Sequence, residues 1–186
     1  MLIAALSALV LQVAPAQYDA TFYCECKPQT LHTSGILTTK ARGSDFDVDY
    51  ASAGVGTLEY ALRAARQVVT DSPGLQPSSK WQSTVNVLIV DQAVSVPVGA
   101  SVVAIANGVA TIEVHGQLNS TPVHLQAGTI PVSITLDFVE HVTLGKSADE
   151  QPSLTSLTEN MTAHYDNFGG RPYDATVKAE LTAKSP

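Results

Sequence analysis

The sequence predicts a mainly β chain, an antiparallel β-sandwich or open barrel with one packed α-helix and long extended arms. Three observations predict it. Two stretches near the C-terminus alternate apolar and polar residues with period two. An Asn-Gly pair joins two β-branched runs. One segment alone keeps a sustained helical period.

Taken in order, residues 1–17 form an apolar arm or signal-like segment, and residues 18–186 form one β-rich domain. Met1 to Ala14 is almost purely apolar, and the first charged side chain is Asp19. A helix of that length reaches about 21 Å, short of the roughly 30 Å of a bilayer core, which disfavours a spanning anchor. The run fits a secretory h-region, and Ala14-Pro15-Ala16 before Gln17 fits a cleavage site. The basic residues that open such a signal are missing, so an apolar arm or helix buried against a neighbour is the equal alternative. Thr21 to Cys26 reads as extended. Its two cysteines, Cys24 and Cys26, share one face and read as small buried apolar residues, with a C-x-C bridge as the alternative.

Leu31 to Ala53 is mixed and polar. Gly54-Val55-Gly56 is then expected to bend the chain into a helix capped by Thr57. Leu58, Leu62, Ala65 and Val69 recur at helical spacing up to Thr70, and Asp71-Ser72-Pro73-Gly74 stops the helix. Asp71 to Lys80 is a loop. Val85 to Val90 reads as a strand, and Val94, Val96 and Val98 alternate in a stretch that Pro97 assigns to an edge or a bulge. Val102–Ala106 and Val109–Val114 flank Asn107-Gly108 and form a hairpin. From Ile130 to Leu144 the even positions are apolar except Glu140, a break that suggests a bulge; from Tyr173 to Lys184 the alternation has no exception. Gly145 to Pro172 shows no sustained period and is expected to be an irregular insertion, with Leu154, Leu157 and Met161 as a short helix at most.

No catalytic, cofactor-binding or metal-ligating residue is predicted. Asp45, Asp47 and Asp49 fail the calcium-loop pattern, because Tyr50 stands where its glycine belongs and Gly56 where its glutamate belongs. Gly54-x-Gly56 lacks the third glycine of a dinucleotide turn, Glu59 occupying that place, and no Walker lysine follows. The five histidines, His32, His115, His124, His141 and His164, show no zinc spacing. Glu113 with His115 and Asp137 with His141 share strand faces and make a cross-strand cluster conceivable. Glu140 and His141 point to opposite faces and cannot act as a direct acid–base pair. No nucleophile elbow occurs, and the sequons at Asn119 and Asn160 are close to chance in a Ser/Thr-rich chain.

The chain of 186 residues has a net charge of −7 with ten basic residues, which argues against specific nucleic-acid binding. Charged residues are only 15%, where about 25% is ordinary, which suggests that neighbours cover part of the surface. These features lead to an expected non-enzymatic structural subunit of a large symmetric assembly: a virion component such as a phage tail tube, capsid or capsid-decorating protein. Its partners would be copies of itself and neighbouring structural proteins, with no cofactor. The alternative is a secreted or periplasmic β-sandwich adhesin or binding module, released by cleavage near Ala16.

Overall fold

The computed structural model describes residues 17–26, 29–39, 44–47, 52–90, 92–125, 128–145 and 152–184. The elements are β1 (Gln17–Cys26), β2 (Gln29–Thr39), β3 (Ser44–Asp47), α1 (Ser52–Thr70), β4 (Lys80–Ile89), β5 (Gln92–Ala106), β6 (Val109–Leu125), β7 (Gly128–Thr143), β8 (Ser153–Phe168) and β9 (Arg171–Ala183). Of the predicted arm 1–17, residues 1–16 lie outside the described residues, as do Asp49 and Tyr50, and Gln17 belongs to β1.

All nine strands form one antiparallel sheet in the order β3-β2-β1-β9-β8-β7-β6-β5-β4. A second sheet, as a sandwich requires, is not found among the described residues. β3 and β4 are the two ends of the order and do not pair, so the sheet is not closed by strands. Alternation dictates one dry face: in β7 the buried residues are Val132, Ile134, Leu136, Phe138, Glu140 and Val142, and in β9 they are Ala175, Val177, Ala179 and Leu181.

The helix joins one end of the sheet to the other. It packs mainly on β4, with further contacts to β8, β1, β3 and β9. Gly56 sits against the Leu88 side chain, and the Val68 carbonyl accepts the indole N–H of Trp81 at 2.9 Å, so α1 runs beside β4 in the opposite direction. An end strand offers a row of unpaired backbone groups, and a helix laid along it is one way of shielding them.

Several expectations are corrected here. Helix α1 starts at Ser52, five residues before Thr57, and both glycines lie inside it. They are there for clearance: a Cβ on Gly54 would lie 3.0 Å from the Phe22 ring, and one on Gly56 would lie 2.9 Å from Leu88. The Pro97 stretch is one-sided as expected: Gln92–Pro97 pair with β4 alone, and the β5–β6 ladder begins only at Val98, after which β5 is paired on both sides. The break at Glu140 is not relieved by a bulge under that residue. The register shifts beyond it, where Thr155 of β8 is the extra residue between His141–Ser156 and Val142–Leu154. Most of the segment predicted as irregular, 145–172, is the long strand β8, whose residues alternate buried and exposed. Leu154, Leu157 and Met161 therefore lie on a strand, with Leu157 and Met161 facing inward.

The Asn107-Gly108 hairpin forms as expected, with φ of 51° and 74°, both in the left-handed region a type I′ turn uses. Gly169-Gly170 makes the matching turn between β8 and β9. At that end Tyr165 and Tyr173 stack at 5.8 Å, Phe168 completes the group, and the Tyr173 hydroxyl donates to the Glu25 carbonyl at 3.0 Å.

Gly116, inward on β6, marks the tightest point of the sheet. A Cβ there would lie 2.7 Å from Val98, 3.0 Å from Val96 and 3.1 Å from the Pro97 carbonyl oxygen. The two valines project from the neighbouring β5 and have no room to retreat. Gly116→Ala is expected to cost about 1–3 kcal/mol, read as a lower denaturant midpoint with an unchanged slope.

Candidate functional site

Two acidic side chains stand inside the apolar face of the sheet. Glu140 of β7 is 0% exposed and Glu159 of β8 is 3% exposed. Glu140 faces Leu157 across the ladder, and Glu159 faces Phe138, so the two carboxyls are diagonal neighbours on adjacent strands. Diagonal side chains of this kind lie about 7–8 Å apart at the backbone, within reach of long groups. Ile112 of β6 flanks Glu140 on its other side, and Ala179 of β9 flanks Glu159. Both Glu140 carboxyl oxygens are buried without a hydrogen-bond partner.

Burial without a compensating cation favours the neutral acid. It pushes Glu140 up to about 8 and Glu159 up to about 7 from the ordinary carboxyl value. At neutral pH much of the pair is protonated. A carboxyl held neutral is a hydrogen-bond donor and a proton store; it is not a metal ligand or a nucleophile in that state. Two cavities lie on the opposite, outer face of β1, β2 and β9.

The larger of those cavities is a shallow groove of about 440 Å³ around Tyr23. Tyr23 faces His32 of β2 on one side and Lys178 of β9 on the other. Its ring meets the His32 ring edge-on at 6.4 Å. Glu25, Glu180, Thr21 and Thr176 complete the lining. An aromatic face with hydroxyl, carboxylate and ammonium groups around it suits contact with a polar ligand.

The histidines are spread over the outer surface. His115 donates to the Asp137 carboxylate at 2.6 Å across β6 and β7, and His164 donates to Asp174 at 2.6 Å across β8 and β9. His141 meets Ser156 at 3.0 Å, on the face opposite Glu140, and His124 meets Thr129 at 2.6 Å. Exposed pairs of this type contribute little stability. The conceivable cluster of Glu113, His115, Asp137 and His141 resolves into the separate His115–Asp137 and His141–Ser156 contacts, with Glu113 opposite Val139 in the ladder. Among the described residues no three His, Cys, Asp or Glu side chains converge on a point where an ion could sit. Asp45 and Asp47 fall on β3. Cys24 and Cys26 are joined as the C-x-C disulfide, the alternative to two free apolar cysteines.

Sequence reasoning missed the acidic pair. Glu140 registered as a break in an apolar row, and Glu159 did not register because its strand was not recognised. No protein-family model matches the chain, and no curated protein or solved structure is similar to it.

Proposed function

We propose that this chain is an exported, non-catalytic β module that acts by surface contact, its sheet forming an open barrel whose seam is filled by α1. The barrel reading is supported by the position of the helix, which follows β4 at one end of the sheet and touches β1 and β3 near the other. The observation that carries the export reading is the apolar run Met1–Ala14 closed by the small-residue site Ala14-Pro15-Ala16. Cleavage after Ala16 would leave every described element intact. The Cys24–Cys26 disulfide fits an oxidising compartment. The Tyr23 groove is the surface best suited to ligand contact.

The second reading is the structural subunit of a virion, such as a tail-tube, capsid or capsid-decorating protein. It is favoured by the low share of charged residues, 15%. The long irregular insertion that also motivated it is largely strand β8.

The full-length chain expressed in a secreting host is expected to appear outside the cell with Gln17 as its first residue, read by N-terminal sequencing or intact mass. Retention in the cell with Met1 in place overturns export. Rings, tubes or shells seen by light scattering of that retained protein would favour the assembly reading.

A further inference from the structure

We infer that the N-terminal half of α1 is a proton-controlled lid over the apolar face of β1, β9 and β8, held shut while Glu140 and Glu159 are neutral and released when they ionise. The inference stands on core groups that the export reading does not use.

The two ends of the helix are held differently. At its C-terminal end the Trp81 indole donates to the Val68 carbonyl, and the Ser83 hydroxyl donates to the Asp71 carboxylate at 2.5 Å, so this end is tied to β4 by polar bonds. At the N-terminal end the described contacts are apolar: Gly54 on Phe22 and Gly56 on Leu88. The first turn carries no acidic residue to complement the helix dipole.

From Phe22, which that end of the helix touches, the inward row continues through Ala179 and Glu159 to Phe138 across β1, β9, β8 and β7. The helix also contacts β8 itself. Charging Glu159, 3% exposed on a strand that the helix contacts, demands water there, because a lone buried carboxylate is too costly to keep dry. The strands there cannot yield easily: β8 is laddered on both sides, to β7 and to β9. The helix has no ladder and is the element free to move.

The surrounding charge pattern offers no other relief. The buried residues of β6, β7, β8, β9 and β1 include Tyr18, Tyr165 and the two glutamates as titratable groups, with Tyr173 partly buried beside Tyr165, and no Lys, Arg or His. On β4 the inward residues are Trp81, Ser83, Val85, Val87 and Ile89. The buried side of α1 is Leu58, Ala61, Leu62, Ala64, Ala65 and Val68, while Arg63 and Arg66 are exposed and Glu59 is half-buried. Neither ionised glutamate would meet a described cation without the lid opening.

The test is hydrogen exchange of the full chain at about pH 5 and about pH 9, corrected for the intrinsic rate, with peptides resolving α1 from β7 and β8. Wild type is expected to lose about tenfold or more of its protection in the first half of α1 at the higher pH, with the β7–β8 ladder preserved. Glu159→Gln keeps the size and removes the charge, and is expected to hold most of that protection. If that variant does not fold, wild type still decides the matter: the midpoint of α1 loosening must match the carboxyl ¹³C titration of Glu140 and Glu159. Protection that is equal at both pH values overturns the lid. So does a loss spread evenly through β7 and β8, or a midpoint unrelated to the glutamates.

Discussion

Glu140→Leu is expected to stabilise the protein at pH 8 by roughly 3–5 kcal/mol more than it does at pH 4. The sign follows from the direction of the shift. Burial raises Glu140 to about 8, above the ordinary carboxyl value it regains on unfolding. Below about pH 4 the group is protonated in both states and ionisation contributes nothing. As pH rises toward 8 the unfolded chain sheds the proton freely while the folded one resists, so folding loses roughly 1–2 kcal/mol per pH unit. Above about pH 8 the loss is complete and levels off. Glu159 behaves the same way over a shorter window that closes near pH 7.

Wild type is therefore expected to be most stable in acid and to weaken most steeply between about pH 5 and 7, where both groups contribute. Leucine fills similar space on an inward strand position flanked by Ile112 and Leu157. It also removes two buried oxygens that have no partner, which by itself gives a gain of about 1–3 kcal/mol at any pH. Denaturant midpoints for both proteins across this range check the claim. A wild-type midpoint that is flat or rises with pH, or a variant curve parallel to the wild-type one, would sink it.

How much of this was legible in the sequence depends on what each strand carries on its dry side. β9 alternates without exception because its inward row is Ala175, Val177, Ala179 and Leu181. β7 was readable despite one carboxyl, since six inward positions contain five apolar residues. β8 has Glu159 in the middle of an inward row of Leu157, Met161, Ala163 and Tyr165, and the register shift at Thr155 puts Leu154, which also packs on the core, out of step with that row. That is enough to hide the period. β2 was hidden for another reason: toward the sheet end its inward side is Thr33, Gly35, Leu37 and Thr39, with little apolar signal to read. The first turns of α1 were hidden by glycines that are selected for clearance and read locally as a bend. The same physics concealed the site. A buried carboxyl looks like an error in the pattern of the strand that holds it, and its burial is decided by strands distant in sequence.

Trp81 is the second position where a large effect is expected. At the end of α1 the regular ladder gives out: the Asp71 N–H still bonds the Gln67 carbonyl, but the Ser72 N–H goes to Val69. The Val68 carbonyl is thus left without the helical donor four residues on, one of the orphan groups every helix end must place. The Trp81 indole N–H, reaching from the inward face of β4, takes that role while its ring is 92% removed from solvent. Trp81→Phe keeps most of the apolar contact and removes the donor, and is expected to cost about 1–3 kcal/mol. Trp81→Ala also opens a cavity under the helix end and is expected to cost about 3–5 kcal/mol. The second tie, Ser83 to Asp71, holds the Asp71 carboxyl below its ordinary range, with Gln67 adding to it. Because the two ties share one helix end, removing both is expected to differ from the sum of the single losses. Urea unfolding followed by circular dichroism measures the Trp81 variants, the loss of the Ser83 tie and the loss of both ties. If Trp81→Phe unfolds at the wild-type midpoint, the indole is only packing and the helix end is held some other way.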